Sequence, residues 1–274
     1  MDTKQASNDF SEHFVARFEN FEQCYSQTLQ VFNLENIHDL RVSIKRLRAL
    51  LSLIELASEK RVDCSQCFIL LGPIFKNAGY IRECQVNIFL LKQFDNKVSM
   101  FFRDYLIKKQ TKAAKKLTNE TKEFDIELLK KNYQRSEQFL TDSSVKEINK
   151  VALKSVKKRA AKIKQLKVES GGNLGIHRIR KHIKYIIEIL ELIVGISDNK
   201  QLKQLNKKAK LCANKIGEWH DYQVLLASFN RFLSVKEINN KASRSIIKDI
   251  ETKSEGLMES INYHLDLMLD ASKL

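Results

Sequence analysis

Four basic side chains, His38, Arg41, Lys45 and Arg48, stand at successive spacings of three, four and three residues. On a helix these positions fall within an arc of about 80°, so they form one stripe. The set suits oxyanions. Arginine presents a planar fork for two-oxygen contacts, lysine a mobile point charge, and histidine a donor whose charge changes near neutral pH. On the same helix Ile37, Leu40, Ile44, Leu47, Leu51 and Ile54 form an apolar stripe about 110° away. The bases therefore lie beside the core-facing seam, not opposite it where solvated lysines belong. That placement points to a groove or pore between helices. The bland alternative is a satisfied core histidine, with the arginines paired to carboxylates such as Glu83 and Asp221.

A second copy of the stripe follows in His177, Arg180 and Lys184, with Ile187 at the fourth position. The segments IHDLRVSIKRLR, from Ile37, and IHRIRKHIKYII, from Ile176, place their histidines 139 positions apart. A second pair, GYIRECQV from Gly79 and GEWHDYQV from Gly217, is offset by 138. Two matches at nearly one offset predict a duplication, with halves 1–141 and 142–274. The second motif puts Arg82 and His220 at equivalent places. Each is followed by an acid, Glu83 or Asp221, which would orient the neighbouring bases. Other bases recur at helical spacing: Lys108, Lys112 and Lys115; Lys150, Lys154 and Lys157; Lys241, Arg244 and Lys248. These are either an outer ring of contacts or solvated faces.

The elements that must carry these residues are helices. Apolar residues recur at helical spacing in ten segments, at about 8–32, 36–58, 64–94, 97–117, 124–140, 144–168, 174–195, 199–234, 236–255 and 257–272. Only 8 glycines and 1 proline are present, too few for the turns of a sheet-rich chain. The expected fold class is all-α. Ser144-x-x-Glu147 and Ser234-x-x-Glu237 read as capping boxes, and Asn36 with Asp39 as a helix start. Gly171-Gly172 reads as a break, and Gly195 as a C-terminal cap.

Composition narrows the partners. Hydrophobic residues make up 43%, enough to fold, and the formal charge of +15 with a pI near 9.5 favours an anion. Nucleic acid, a phosphate polymer and a membrane surface all fit that charge. No zinc-finger, RNA-recognition or helix-turn-helix signature is present, which disfavours nucleic acid. Phe14, Phe18, Phe21, Tyr25 and Phe32 follow helical spacing and read as core, not as base-stacking platforms. The five cysteines, 24, 64, 67, 84 and 212, lack a disulfide framework, so reduced thiols are expected. Cys64 and Cys67 form a lone C-x-x-C with no second pair to complete a zinc site. The polar start MDTKQASNDF and the lack of a spanning apolar run predict a soluble, cytoplasmic protein with no membrane partner.

Nothing resembles a nucleophile with its base, a phosphate-cradling loop or paired catalytic carboxylates. The expectation is a binding protein, with neither catalysis nor a cofactor. One enzymatic alternative is an HD-type metal-dependent phosphohydrolase, whose ligand order His177, His220-Asp221 and Asp249 could imitate. Arg82, the counterpart of His220, stays protonated and cannot ligate a metal.

The motifs His38-x-x-Arg41-x-x-x-Lys45-x-x-Arg48, Gly79-x-x-Arg82-Glu83-x-Gln85-Val86, His177-x-x-Arg180-x-x-x-Lys184 and Gly217-x-x-His220-Asp221-x-Gln223-Val224 resemble the CHAD family. This is the α-helical domain named for its conserved histidines. The resemblance spans nearly the whole chain and implies two helical bundles related by a pseudo-twofold, with a basic central channel that binds inorganic polyphosphate. It also implies association with polyphosphate granules, and a stand-alone module in place of a fusion to a triphosphate tunnel enzyme. The chain departs from the family pattern at Ile187, where a base is usual, and at His220, where arginine is more usual.

Overall fold

Asparagine side chains start four of the helices. In the computed structural model, which describes residues 3–169, 173–196 and 199–272, Asn33 caps α2 (Leu34–Ala57) by accepting the Asn36 N–H at 2.8 Å. Asn36 is thus the third residue of that helix and not its start. Asn96 and Asn240 form reciprocal capping boxes with Ser99 and Ser243, opening α4 (Lys97–Lys122) and α9 (Lys241–Glu255). Asn199 caps α8 (Lys200–Val235). Each cap gives an orphan N–H of the first turn a partner, typically worth about 1 kcal/mol.

The remaining helices are α1 (Thr3–Gln30), α3 (Ser65–Leu91), α5 (Ile126–Asp142), α6 (Val145–Glu169), α7 (Asn173–Ile196) and α10 (Met258–Ala271). All ten expected segments are helical, and no strand occurs among the described residues. The Ser234–Glu237 expectation fails. Those residues close α8: Glu237 takes a left-handed φ of 52° and the Ile238 N–H bonds the Leu233 carbonyl at 3.0 Å. α9 opens later, at Lys241. Gly195 lies inside α7 instead of capping it, and Gly171-Gly172 lies outside the described residues.

Two apolar cores hold the helices. The principal one joins α1, α2, α5, α6, α7 and α10 with the first parts of α3 and α8 and the end of α4, through Ala113 and Leu117. Ile37, Leu40, Ile44, Leu47, Leu51 and Ile54 are all buried in it, as the stripe on α2 requires. Each such side chain contributes about 1.5–3 kcal/mol. Phe14, Phe18, Phe21 and Tyr25 are core residues, and Phe32 packs against them. The second core joins the later parts of α3 and α8 to the first part of α4 and to α9. The long helices α3 and α8 therefore bridge the two cores, and they carry the glycine-led motifs.

All five cysteines are free and buried. Burial pushes the Cys64 and Cys67 thiols up to about 11 and about 12, so neither is a thiolate ready for metal or redox chemistry. Among the described residues no helix is long and apolar enough to cross a membrane.

Candidate anion-binding site

The apolar seams of α2 and α7 enter the same core, so the bases beside each seam are drawn to one interface. Their charges feel one another. Burial first, and Arg180 second, hold the Arg41 guanidinium below its ordinary pKa. The Lys184 ammonium is pushed down to about 7, by burial, then by Arg180, Lys45 and Arg41, against a weaker opposing pull from Asp221. Lost hydration and like charge both disfavour the cationic form. Four cations from two helices thus lie within reach of one another's charge, three of them, Arg41, Arg180 and Lys184, with much of their hydration lost.

Each is held differently. Arg41 donates from Nη1 to the Phe75 carbonyl at 2.9 Å, and its guanidinium lies 4.1 Å from the Phe75 ring centroid. Gly79 makes room for it, since a Cβ there would stand 2.8 Å from Arg41 Nη1. That close approach explains a glycine inside a helix, where it is otherwise unfavourable. Arg48 lies 5.3 Å from both the Phe68 and Phe75 rings, a cation–π arrangement.

Lys45 has an internal partner. Its Nζ is 2.6 Å from Oε1 of Glu188, a carboxylate only 4% exposed, and Arg17 stands 4.0 Å from the other oxygen. The carboxylate that pairs with the stripe is therefore Glu188 on α7, not Glu83 or Asp221. Ile187, beside it, packs against the core.

Arg180 is less satisfied. Its Nε is buried with no hydrogen-bond partner, and burial lowers its pKa while Asp221 opposes the shift. A Cβ on Gly217, the counterpart of Gly79, would meet nothing within 4 Å. Arg180 therefore does not fill the space beside Gly217 as Arg41 fills that beside Gly79.

The histidines pair with the glycine-led motifs. His38 on α2 is largely exposed, and its pKa is lowered by the partial loss of its hydration and then by Arg82 of α3. His177 on α7 stacks on His220 of α8, with ring centroids 5.5 Å apart and planes 18° from parallel. Its pKa is lowered by burial, then by Lys181 and His220. Arg82 donates to Gln85 at 3.1 Å. His220 Nδ1 is buried without a hydrogen bond, 3.8 Å from Asp221.

The outlying bases stand elsewhere. Lys108, Lys112 and Lys115 are exposed on α4, and Lys241, Arg244 and Lys248 on α9. Lys108 lines a cavity of about 420 Å³ with Phe101, Tyr105 and Phe232. Lys150, Lys154 and Lys157 are exposed on α6. Among the described residues no three His, Cys, Asp or Glu side chains gather as metal ligands would.

Phe75, Glu188 and the role of Gly79 were not read from the sequence. The signal for Glu188 is an acid within the apolar run YIIEIL, where burial requires a nearby cation. As a whole the arrangement offers desolvated N–H donors with too few carboxylates, the chemistry of an oxyanion site.

Residues 16–230 match the family model of the CHAD domain. Among solved structures, the fold is similar to the crystal structure of the CHAD domain from the plant Ricinus communis. That likeness has a TM-score of 0.68 at 17% identity and covers 95% of this chain and 91% of that one. It is similar also to PptA from Streptomyces chartreusis, with a TM-score of 0.57 at 9% identity, covering 98% and 99%. At these identities the structural likeness speaks for the fold alone. No curated protein matches the sequence. The matched span holds α2, α3, α7 and most of α8, the helices that carry the four motifs, and the chain belongs to the CHAD domain family.

Proposed function

We propose that this chain binds inorganic polyphosphate in a basic channel between two pseudo-symmetric halves, 1–141 and 142–274, and performs no reaction on it. The observation that carries the reading is the convergence of Arg41, Lys45, Arg180 and Lys184, desolvated enough to hold Lys184 down to about 7. The bases on α2 run from His38 to Arg48, a rise of about 15 Å, longer than a single phosphate needs. A polymer would engage both stripes at once and release its counterions, making affinity fall steeply with salt. It would also relieve the mutual repulsion of the empty site and stabilise the fold by mass action. Exposed Lys108, Lys112, Lys241 and Arg244 would form an outer ring. Other polyanions would compete, and the protein would gather on polyphosphate granules in the cytoplasm.

The test is a titration with polyphosphates of several lengths, orthophosphate, DNA and heparin. It compares wild type with Arg180→Ala/Lys184→Ala and with Lys131→Ala/Lys146→Ala, two exposed bases on α5 and α6. Long polyphosphate should bind most tightly. The first variant should lose about 1.5–3 kcal/mol per contact, while the second, removing as many basic side chains from screened positions, loses little. Equal losses in the two folded variants, or equal affinity for orthophosphate and the long chain, refute the reading.

A further inference from the structure

A cleft of about 860 Å³ lies between α6, α7 and the end of α2, lined by none of the four converging cations. Its volume falls in the range of small-molecule sites, about 300–1,000 Å³. Leu56, Ala57, Val151 and Ala161 give it apolar walls. Among its lining residues Arg159 is fixed twice. Its Nη1 stands 3.1 Å from Nδ1 of His182, and its guanidinium lies 4.4 Å from the Tyr185 ring centroid. Arginine can only donate, so His182 Nδ1 accepts and the ring keeps its proton on Nε2 as a donor. Burial, Arg159, Lys162 and Arg178 all lower the His182 pKa, in accord with that neutral ring. Lys154, Lys158 and Lys162 also line the cleft, with Glu59 the single acid among its lining residues.

Neither half of this lining is used by a plain ligand. An inorganic anion would touch the bases and leave the apolar walls wet, and polyphosphate has no apolar surface to bury. A neutral apolar compound would strand the donors of Arg159 and His182 away from water. We infer that the cleft binds a small amphiphilic anion: an aliphatic or aromatic body with one phosphate, sulfonate or carboxylate head. The head meets Arg159 and the neighbouring lysines, and the body lies on the apolar walls. Arg159, already locked against His182 and Tyr185, loses little side-chain freedom on binding.

Anilinonaphthalene sulfonate, an aromatic body with one anionic head, is a direct probe. Its fluorescence is titrated against the whole chain, with near-ultraviolet circular dichroism showing that the packed fold is kept. The dye should saturate a single class of site. Arg159→Ala should weaken it roughly tenfold, the worth of one charge-assisted contact. Because Arg159 also braces α6 against α7, Lys158→Glu serves as a second variant, on an exposed side chain. It should weaken the dye as well. Arg180→Ala/Lys184→Ala should bind the dye as wild type does, which separates this cleft from the polyphosphate reading. A fatty acid and a nucleoside monophosphate, as competitors, report whether the body is aliphatic or aromatic. Dye binding that never saturates, that survives both Arg159→Ala and Lys158→Glu, or that disappears with Arg180 and Lys184 overturns the inference.

Discussion

Raising the pH from about 7 to about 8.5 strips the proton from Lys184 in the empty protein, whereas an ordinary lysine, near 10.5, is untouched. With its ammonium pushed down to about 7, Lys184 is about half charged at the start of that window and roughly 3% charged at its end. A bound polyanion favours the cation, so binding takes up a proton and affinity should fall roughly tenfold across the window. Stability of the empty fold runs the other way. The folded pKa lies below the unfolded one, so the unfolded chain binds more protons between about 7 and 10.5. The empty fold is most penalised below pH 7 and gains stability as the pH rises through that range. His38 and His177 are both held below the usual 6.5, so their titration is centred on the acid side of this window. Calorimetry in two buffers of different ionisation heat measures the uptake directly: about half a proton at pH 7 and close to one at pH 8.5. Lys184→Arg, which does not titrate here, removes that component and leaves the titration of the histidines and of the polymer's own end groups. Identical proton uptake in wild type and Lys184→Arg would refute the reasoning.

Two further outcomes follow from the packing. Gly217→Ala, with open space at its Cβ, should stabilise α8 by about 0.5–1 kcal/mol through helix propensity. Gly79→Ala should forfeit that gain, displace Arg41 from the Phe75 carbonyl and weaken polyphosphate binding; thermal unfolding and titration read both. Lys45→Met leaves Glu188 buried without its nearest cation and should cost about 1–3 kcal/mol, discounted because Lys45 is itself partly exposed. Adding Glu188→Gln should recover part of that loss, and an unaltered melting temperature in Lys45→Met contradicts the pair.

Periodicity made the helices legible because a 3.6-residue repeat survives in the apolar residues whatever the tertiary contacts. The starts were less legible. Serine with glutamate three residues on marks a capping box, but Asn96 with Ser99 and Asn240 with Ser243 satisfy the same two backbone donors with shorter side chains. Ser234 and Glu237 showed the right spacing and stop a helix instead, because the chain turns left-handed at Glu237 before α9 begins. The basic stripes were legible for the same reason as the apolar ones. What satisfies them was not, since Phe75 and Glu188 reach Arg41 and Lys45 from other helices, and no local pattern encodes a partner 34 or more residues away.

Those partners also change which half should grip an anion harder. Counting bases favours the first half, where four stand in register and the second has Ile187 in place of the last. The structure argues the reverse. Arg41 already donates to the Phe75 carbonyl, and Lys45 already neutralises a buried carboxylate. An anion drawing on Lys45 must compete with Glu188, and whatever it gains is offset by loosening that pair. Arg180 keeps a buried Nε with no acceptor, and Lys184 is near enough to other cations to lose half its charge at about pH 7. Groups left unsatisfied by the fold have the most to gain from a ligand, because the cost of their desolvation is already met before binding. Substituting Arg180 and Lys184 should therefore cost more affinity and less stability than substituting Arg41 and Lys45. If stability and affinity fall together in both pairs, the bases serve the fold first and the division of labour between α2 and α7 is wrong.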